Sequence, residues 1–505
     1  MADESGLNPF VFPLQGGLVL DRSTFTMESG MALELQNFEA DITGGYRRIN
    51  GYNKWNSNIV PQTASASEPV LMSAFFAGNN KVIAARGTKV YEAASGSGAW
   101  SAIDTGRSNA TKYTFFRYNF NNTPHIIWAD GANHATKYDG STVTDISATG
   151  APSNPKYVTS FKSAMFFAGM SATPQELVFT APYTDNDFSP ANGAGSIRVD
   201  DTITGIFPFR DTLIIFCSER IFRLTGNTIA DFQLQPVSRN VGCINGSTIK
   251  EFAGDIIFLS RDGLRTVAGT EKIGDVELGT ISAQVHELFS VYTDVDEFEA
   301  VVVPDKTQYR IFFVNNSARN RAATKGVIAY RGAQGYSYSE TLGIQPACTD
   351  SLSEQGSVYV LHGGFDGYIY RQEQGSTFDG ETIIGRYRSP DLTMGDAGIR
   401  KNFQRVIINY APTGAVNSDL FLRYDYEDPN IPRPAAYPFD SSTVVALYGT
   451  SAYGTATYGG QSNPLVRQAV EGSGFAVALR VVDNGVSEPY SLKGFQLEFD
   501  VSARR

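Results

Sequence analysis

Seven times between about residue 80 and residue 370 the chain repeats one phrase: an apolar triplet, a tight polar turn, then an aromatic-rich second strand. Val82-Ile83-Ala84 turns at Arg86-Gly87 into Val90-Tyr91, and Ile126-Ile127-Trp128 turns at Asp130-Gly131 towards Lys137-Tyr138. Met165-Phe166-Phe167 faces Leu177-Val178-Phe179, and Leu213-Ile214-Ile215-Phe216 faces Ile221-Phe222. Ile256-Ile257-Phe258 turns at Asp262-Gly263, Ile311-Phe312-Phe313 matches Val327-Ile328, and Val358-Tyr359-Val360 turns at Asp366-Gly367 into Tyr368-Ile369-Tyr370. Steps of roughly 40–50 residues are the period of one four-stranded blade of a β-propeller. The copies share no catalytic residue, so the repeat predicts an architecture and not a chemistry. The expected fold class is all-β: an irregular propeller of about seven blades followed by a C-terminal β-sandwich.

A chain of 505 residues exceeds the size at which one core stops growing. Three parts are expected: an arm with propeller-closing strands over 1–68, the propeller over 69–388 and the sandwich over 389–505. Aromatics at 12% and 49 glycines suit sheets joined by tight turns. No apolar run reaches the length of a membrane span. Met1-Ala2-Asp3-Glu4-Ser5 lacks a basic region followed by an apolar stretch, so no signal peptide is expected. Cys217, Cys243 and Cys348 are odd in number and irregular in spacing, which predicts buried free thiols made in a reducing cytoplasm. A net charge of −11 argues against a surface built to grip nucleic acid, though not against one that DNA must slide past.

Before the repeat, Phe10-Val11-Phe12-Pro13 and Gly16 to Leu20 read as extended, and Thr26 to Asn37 as a short helix or irregular arm. A segment outside the repeat is expected to add a strand to the last blade and remove exposed edges. Within the ring, Gly279 to Phe289 carries helical spacing in Ile281, Val285 and Leu288-Phe289. After Ser389-Pro390, Phe403 to Tyr410, Leu420 to Tyr426, Phe475 to Val482 and Phe495 to Val501 read as strands, with turn chemistry at Asp483-Asn484-Gly485 between the last two. A tandem repeat sits among them: Leu447-Tyr448-Gly449-Thr450, Ala452-Tyr453-Gly454-Thr455 and Thr457-Tyr458-Gly459-Gly460. It reads either as tyrosines packed on a neighbouring sheet or as an exposed contact loop, since tyrosine gives large amphipathic contact at low entropic cost.

Familiar catalytic patterns are missing from the sequence. His125, His134, His286 and His362 are scattered and far from any cysteine cluster, so no zinc site is expected. Asp185-Asn186-Asp187, Asp200-Asp201 and Asp294-Val295-Asp296-Glu297 are dense in carboxylates. Glycoside hydrolysis needs two such groups facing each other across a sugar, one of them desolvated, whereas a polar turn hydrates both. Ser260-Arg261-Asp262-Gly263 is similar to the aspartate turn of sialidases but lacks its spacing and trailing tryptophan, and reads as a hairpin turn. No catalytic residue, cofactor or metal is expected. Arg47-Arg48, Arg400-Lys401 and Arg504-Arg505 read as surface or interface pairs.

Three features together resemble the tail-hub or nozzle proteins of short-tailed bacteriophages, including the P22-type stabilisation protein and the T7-type tail tubular protein B. They are the segment Tyr46-Arg47-Arg48-Ile49-Asn50-Gly51-Tyr52 leading into an irregular propeller, the strand Lys401-Asn402-Phe403-Gln404-Arg405-Val406 with the Tyr-Gly-Thr repeat, and the closing strand Gly494-Phe495-Gln496-Leu497-Glu498-Phe499. The similarity spans nearly the whole chain, which is shorter than the T7-type pattern. The resemblance implies a homohexameric ring at the distal end of a virion tail, made in the host cytoplasm and docked below an adaptor ring, with tail fibres or spikes as further partners. Its channel would retain packaged double-stranded DNA and open for ejection. Asn315 and Asn316, in the excursion to Thr324, and Tyr448, Tyr453 and Tyr458 are the candidate inter-subunit or channel contacts.

Two other readings stand beside this one. A receptor- or glycan-binding or -cleaving propeller needs an aromatic pocket with convergent polar groups, and Trp55, Trp100 and Trp128 occupy dissimilar positions. A generic propeller scaffold fits the fold but explains the tyrosine–glycine repeat less well.

Overall fold

A computed structural model describes residues 7–64, 68–120, 122–268, 280–290, 297–314, 324–333, 335–354, 356–414, 416–431, 433–441 and 465–501. The protein is all-β and contains a β-propeller. Four-stranded sheets form over 70–105, 114–145, 157–198 and 203–238. A fifth set of four strands, over 297–342, opens a nine-stranded sheet. In the last blade, Cys348–Glu354, Ser357–Gly363 and Ile369–Gln372 gain Tyr52–Lys54 as a fourth strand, through the pairs Tyr370↔Lys54 and Gln372↔Tyr52.

Six blades therefore carry four or more strands, where the sequence predicts about seven. The remaining hairpin, at Ile256-Ile257-Phe258, belongs to a three-stranded sheet of Lys250–Phe252, Asp255–Ser260 and Gly263–Thr266. No fourth strand completes it among the described residues. A short helical turn follows instead, Ala283–Val285 running into His286–Ser290. Gly279, where the expected helix begins, lies outside the described residues; in the described stretch Val285 is buried and Leu288 and Phe289 pack against the main core.

The repeated hairpins pack face to face through their apolar triplets. Ile83 and Val90 meet Ile126 and Trp128 between the first two blades, and Ile214 and Phe216 meet Ile256 and Phe258 further round. Val70 and Phe75 of the first blade meet Leu361 and Ile369 of the last, which closes the ring.

The chain after residue 389 does not stand apart. Lys401–Pro412, Leu465–Ala469 and Tyr490–Val501 share a seven-stranded sheet with Phe38–Ala40, Tyr46–Arg48 and Asn8–Pro13. Val477–Asp483, Val416–Tyr424 and Tyr437–Ser441 belong to the nine-stranded sheet, reaching the blade over 297–342 through Gly385–Arg388 and Glu34–Gln36. Phe403, Ile408, Leu420, Leu479 and Phe495 from the two sheets lie in one buried cluster with Leu35 and Phe38 of the N-terminal arm. The strands before and after Asp483-Asn484-Gly485 fall in different sheets, so that segment crosses between layers and is not the turn of a hairpin. The strand expected to run to Tyr426 stops at Tyr424, because Asp425, Tyr426 and Glu427 all take left-handed backbone, with φ of 48°, 58° and 61°.

Arg48 ties these layers together. Its guanidinium donates to the carbonyl oxygens of Ser487 (2.6 Å), Ile383 (2.8 Å) and Gly485 (3.0 Å), and its Nε lies 3.3 Å from Asp483 Oδ2. Glu39 makes a second tie, meeting both Lys306 and Arg310, which also hold Glu373 of the last blade. Among the described residues no helix is long and apolar enough to cross a membrane.

Candidate functional site in the axial channel

The first strand of every sheet in the ring lines a cavity of about 640 Å³ on the propeller axis. The walls are largely apolar, with Phe116, Ile206, Phe207, Ile249 and Val301 among them. Charged groups are added where strands begin, and three of them are lysines. Lys112 precedes the strand Thr114–Phe120, Lys156 precedes Tyr157–Phe161, and Lys250 opens Lys250–Phe252.

Lys112 forms an ion pair with the buried Glu299. Thr349 Oγ1 lies 2.7 Å from both Glu299 Oε1 and the Ala300 carbonyl oxygen. Burial opposes the charge on Lys112, but Glu299 outweighs it and its pKa is raised. Asp350 is also committed. It pairs with Arg117 and accepts from the Phe75 N–H at 2.8 Å, while Arg117 Nε donates to the Phe75 carbonyl at 2.9 Å. The Cys348 thiol sits beside Ser73, and burial pushes its pKa up to about 12, so it is no nucleophile at neutral pH.

Lys156 and Lys250 differ from Lys112. Neither has a carboxylate within 4.0 Å among the described residues. Burial lowers the pKa of both, and the nearby positive charge of Lys112 lowers both further, while Glu297 pulls Lys156 partly back and Glu299 and Asp350 pull Lys250 partly back. Burial also holds the proton on Tyr157 more tightly than usual.

One turn shapes the mouth. Asn245 Oδ1 accepts from Ser247 N (3.0 Å) and Ser247 Oγ (2.9 Å), and Tyr309 OH donates to the Thr248 carbonyl at 2.8 Å. Gly246 is required there, since a Cβ would lie 2.3 Å from the Thr204 carbonyl oxygen and 2.9 Å from Tyr157 Cε1. Without a side chain the turn can lean against the neighbouring strands.

The predicted contact residues Asn315, Asn316, Tyr448, Tyr453 and Tyr458 lie outside the described residues. The flanks of the two segments are described. The first is preceded by Val314, which pairs with Glu297 at the axial cavity. The second is bounded by Ser441, paired with Val416, and Leu465, paired with Asn409.

Two of the sequence clusters of carboxylates resolve into structural roles, and Asp294 and Asp296 of the third lie outside the described residues. Asp185 pairs with Lys137 at 2.8 Å and accepts from Tyr118 OH at 2.9 Å. Asp187 accepts from Ser189 N at 2.9 Å and Asn192 Nδ2 at 2.7 Å. Asp200 meets Arg220, and Asp201 accepts from Glu219 N at 2.8 Å. Asp262-Gly263 is the turn between two strands, with Asp262 held by Arg265. All three cysteines are buried and free. His362 is buried beside Gln372 and Tyr52, and among the described residues no group of three His, Cys, Asp or Glu could hold a metal ion.

The channel lysines were not singled out from sequence. A signal was there: Lys112-Tyr113 and Lys156-Tyr157 are the same dipeptide at the same place, just before the first strand of a blade.

No protein-family model matches the chain, and no curated protein matches it. Solved structures similar to it include an extracellular domain from B. thetaiotaomicron, at 8% identity and a TM-score of 0.41, covering 70% of this chain and 43% of that one. The Pan2 WD40 domain of Neurospora crassa matches at 8% identity and a TM-score of 0.41, over 64% of this chain and 96% of that one. The AfRom2 CNH domain matches at 9% identity and a TM-score of 0.37, over 63% and 98%. The chain thus spans less than half the length of the first of these. The propeller rests on this chain's own strand pairing.

Proposed function

We propose that this chain is a structural virion protein, the tail hub or nozzle of a short-tailed bacteriophage. In this reading six copies form a ring below an adaptor ring, DNA is retained in the channel between the copies, and fibres or spikes attach outside. In this reading the two C-terminal sheets, joined by N-terminal strands, take the part of the expected sandwich.

The observation that carries the reading is the position of Tyr46 to Tyr52, one of the three segments on which the resemblance rests. Tyr46 OH donates towards the Gln15 and Gly30 carbonyls, Arg48 joins the C-terminal strands, and Tyr52 enters the last blade. Propeller and C-terminal sheets are thereby tied together, which suits a rigid ring subunit. The propeller's own axis is no conduit, because a cavity of about 640 Å³ crossed by ion pairs does not pass a duplex. DNA would run between subunits, where net negative charge limits adhesion.

The axial cavity favours a second reading, a ligand-binding propeller of the tail. Its cleaving form fits poorly: Glu299 and Asp350 are both tied to cations, and a general acid needs a desolvated, unpaired carboxyl.

Deleting 315–323 or 448–458 in the virus that encodes the chain tests the proposal. Each deletion is expected to lower the yield of DNA-filled particles. Normal titre and full heads after both would contradict it.

A further inference from the structure

We propose that the axial cavity is a binding site for a small-molecule oxyanion, held by Lys250 and Lys156 with the Asn245 amide. The argument begins with charge pairing. The cavity and its immediate walls hold Lys112, Lys156, Lys250 and Arg117 against Glu251, Glu297, Glu299 and Asp350. Overall the charges balance, but they are not paired evenly. Glu299 is committed to Lys112 and Asp350 to Arg117, while Glu251 is solvent-exposed and the charge of Glu297 reaches Lys156 without forming an ion pair with it within 4.0 Å.

That leaves the half-buried Lys250 and the more exposed Lys156, whose ammonium lies 5.6 Å from the Tyr157 ring centroid, without a carboxylate within 4.0 Å among the described residues. An ammonium enclosed by protein is costly unless paired and hydrogen-bonded. An oxyanion in the cavity supplies both, and charge-assisted hydrogen bonds are the strong kind. Asn245 adds a donor at the mouth: its Oδ1 is committed to Ser247, which leaves the Nδ2 hydrogens available to the cavity it lines.

The walls define the rest of the ligand. A volume of about 640 Å³ falls within the range of small-molecule sites, and the lining of Phe116, Ile206, Phe207 and Val301 suits an apolar body. The chemistry is that of a carboxylate or phosphate ester on a compact carbon skeleton. The inference is independent of the nozzle assignment, because it concerns the axis of a single propeller.

Calorimetric titration of the full chain with inorganic phosphate and, separately, with benzoate tests it. Saturable one-to-one binding of at least one probe is expected. Phosphate alone would indicate a phosphate ester, and benzoate alone a carboxylate with an apolar body. Lys250→Met should weaken binding by roughly tenfold or more, the usual effect of removing a hydrogen bond to a charged group, and Lys156→Gln should weaken it less. If Lys250→Met does not fold, Lys156→Gln at the exposed edge of the cavity decides alone. No saturable binding of either probe, or wild-type affinity in every folded variant, would overturn the proposal.

Discussion

Arg48 Nε lies 3.3 Å from Asp483 Oδ2, and both side chains are wholly buried. Burial pushes the Asp483 carboxyl up and the Arg48 guanidinium down, each against the pull of the other charge. The pair is maintained by what surrounds it: Arg48 also holds three carbonyl oxygens within 3.0 Å, and Asp483 Oδ1 accepts from the Gly485 N–H at 2.9 Å. Arg48 is thus the point where the N-terminal strand, the C-terminal sheets and the segment at Ile383 meet.

Removing one partner of a buried ion pair costs about 3–5 kcal/mol. Asp483→Asn should fall near the lower end, since the asparagine can still accept from Gly485. Arg48→Met should cost more, because it strands the carboxylate and three carbonyls together. Urea unfolding at neutral pH checks this order. Equal or reversed losses would show that the clamp does not bind the layers as described.

Acid should weaken the tie between the last two blades. Burial alone would raise the Glu373 pKa, but Arg310 and Lys306 outweigh it and hold the carboxyl at about 2, against an ordinary 4.5. A depressed folded-state value means the stabilisation is full above pH 4.5 and is lost as pH falls towards 2. Glu373→Gln should therefore be less stable than wild type at neutral pH, with the gap closing across that interval. Carboxyls raised by burial, such as Asp104 and Asp391, have the opposite sign but are common to both proteins. Melting temperatures at matched pH measure the gap, and parallel curves would refute the assignment.

Gly51 should tolerate no side chain. A Cβ there would lie 1.8 Å from the Thr377 carbonyl oxygen, and the backbone is fixed on both sides, with Gly51 N donating to Gly375 O at 2.9 Å. Gly51→Ala should destabilise by about 2 kcal/mol or more, the scale of overpacking in a rigid site. Gly44, with nothing within 4 Å of its Cβ position, is a contrast in the same arm, where only its φ of 88° penalises alanine. Gly51→Ala costing no more than Gly44→Ala would mean the strand at Tyr52 is not held as described.

The ring was legible because its signals are local. Ile126-Ile127-Trp128 is fully buried and pairs with residues 136–138, the hairpin its apolar triplet and Asp130-Gly131 turn predict. Ile311 likewise pairs with Val327, and Phe166 with Phe179. The Ile126 hairpin is closed by a turn whose residues announce it. Long-range pairings have no such mark. Gln36 sits beside Glu340 and Arg386, and nothing near residue 36 in sequence indicates either neighbour. The channel was hidden for the same reason: Lys112 and Glu299 are 187 residues apart and meet only when the ring closes. A blade's inner strand is read easily, but what its first residue faces depends on every other blade.

Cryo-electron microscopy of virions from the virus encoding this chain tests the central claim most directly. Density for six copies of this fold, ringing the tail axis below an adaptor with the DNA path between them, is the predicted result. Copies on the tail periphery, or none in the particle, would contradict it.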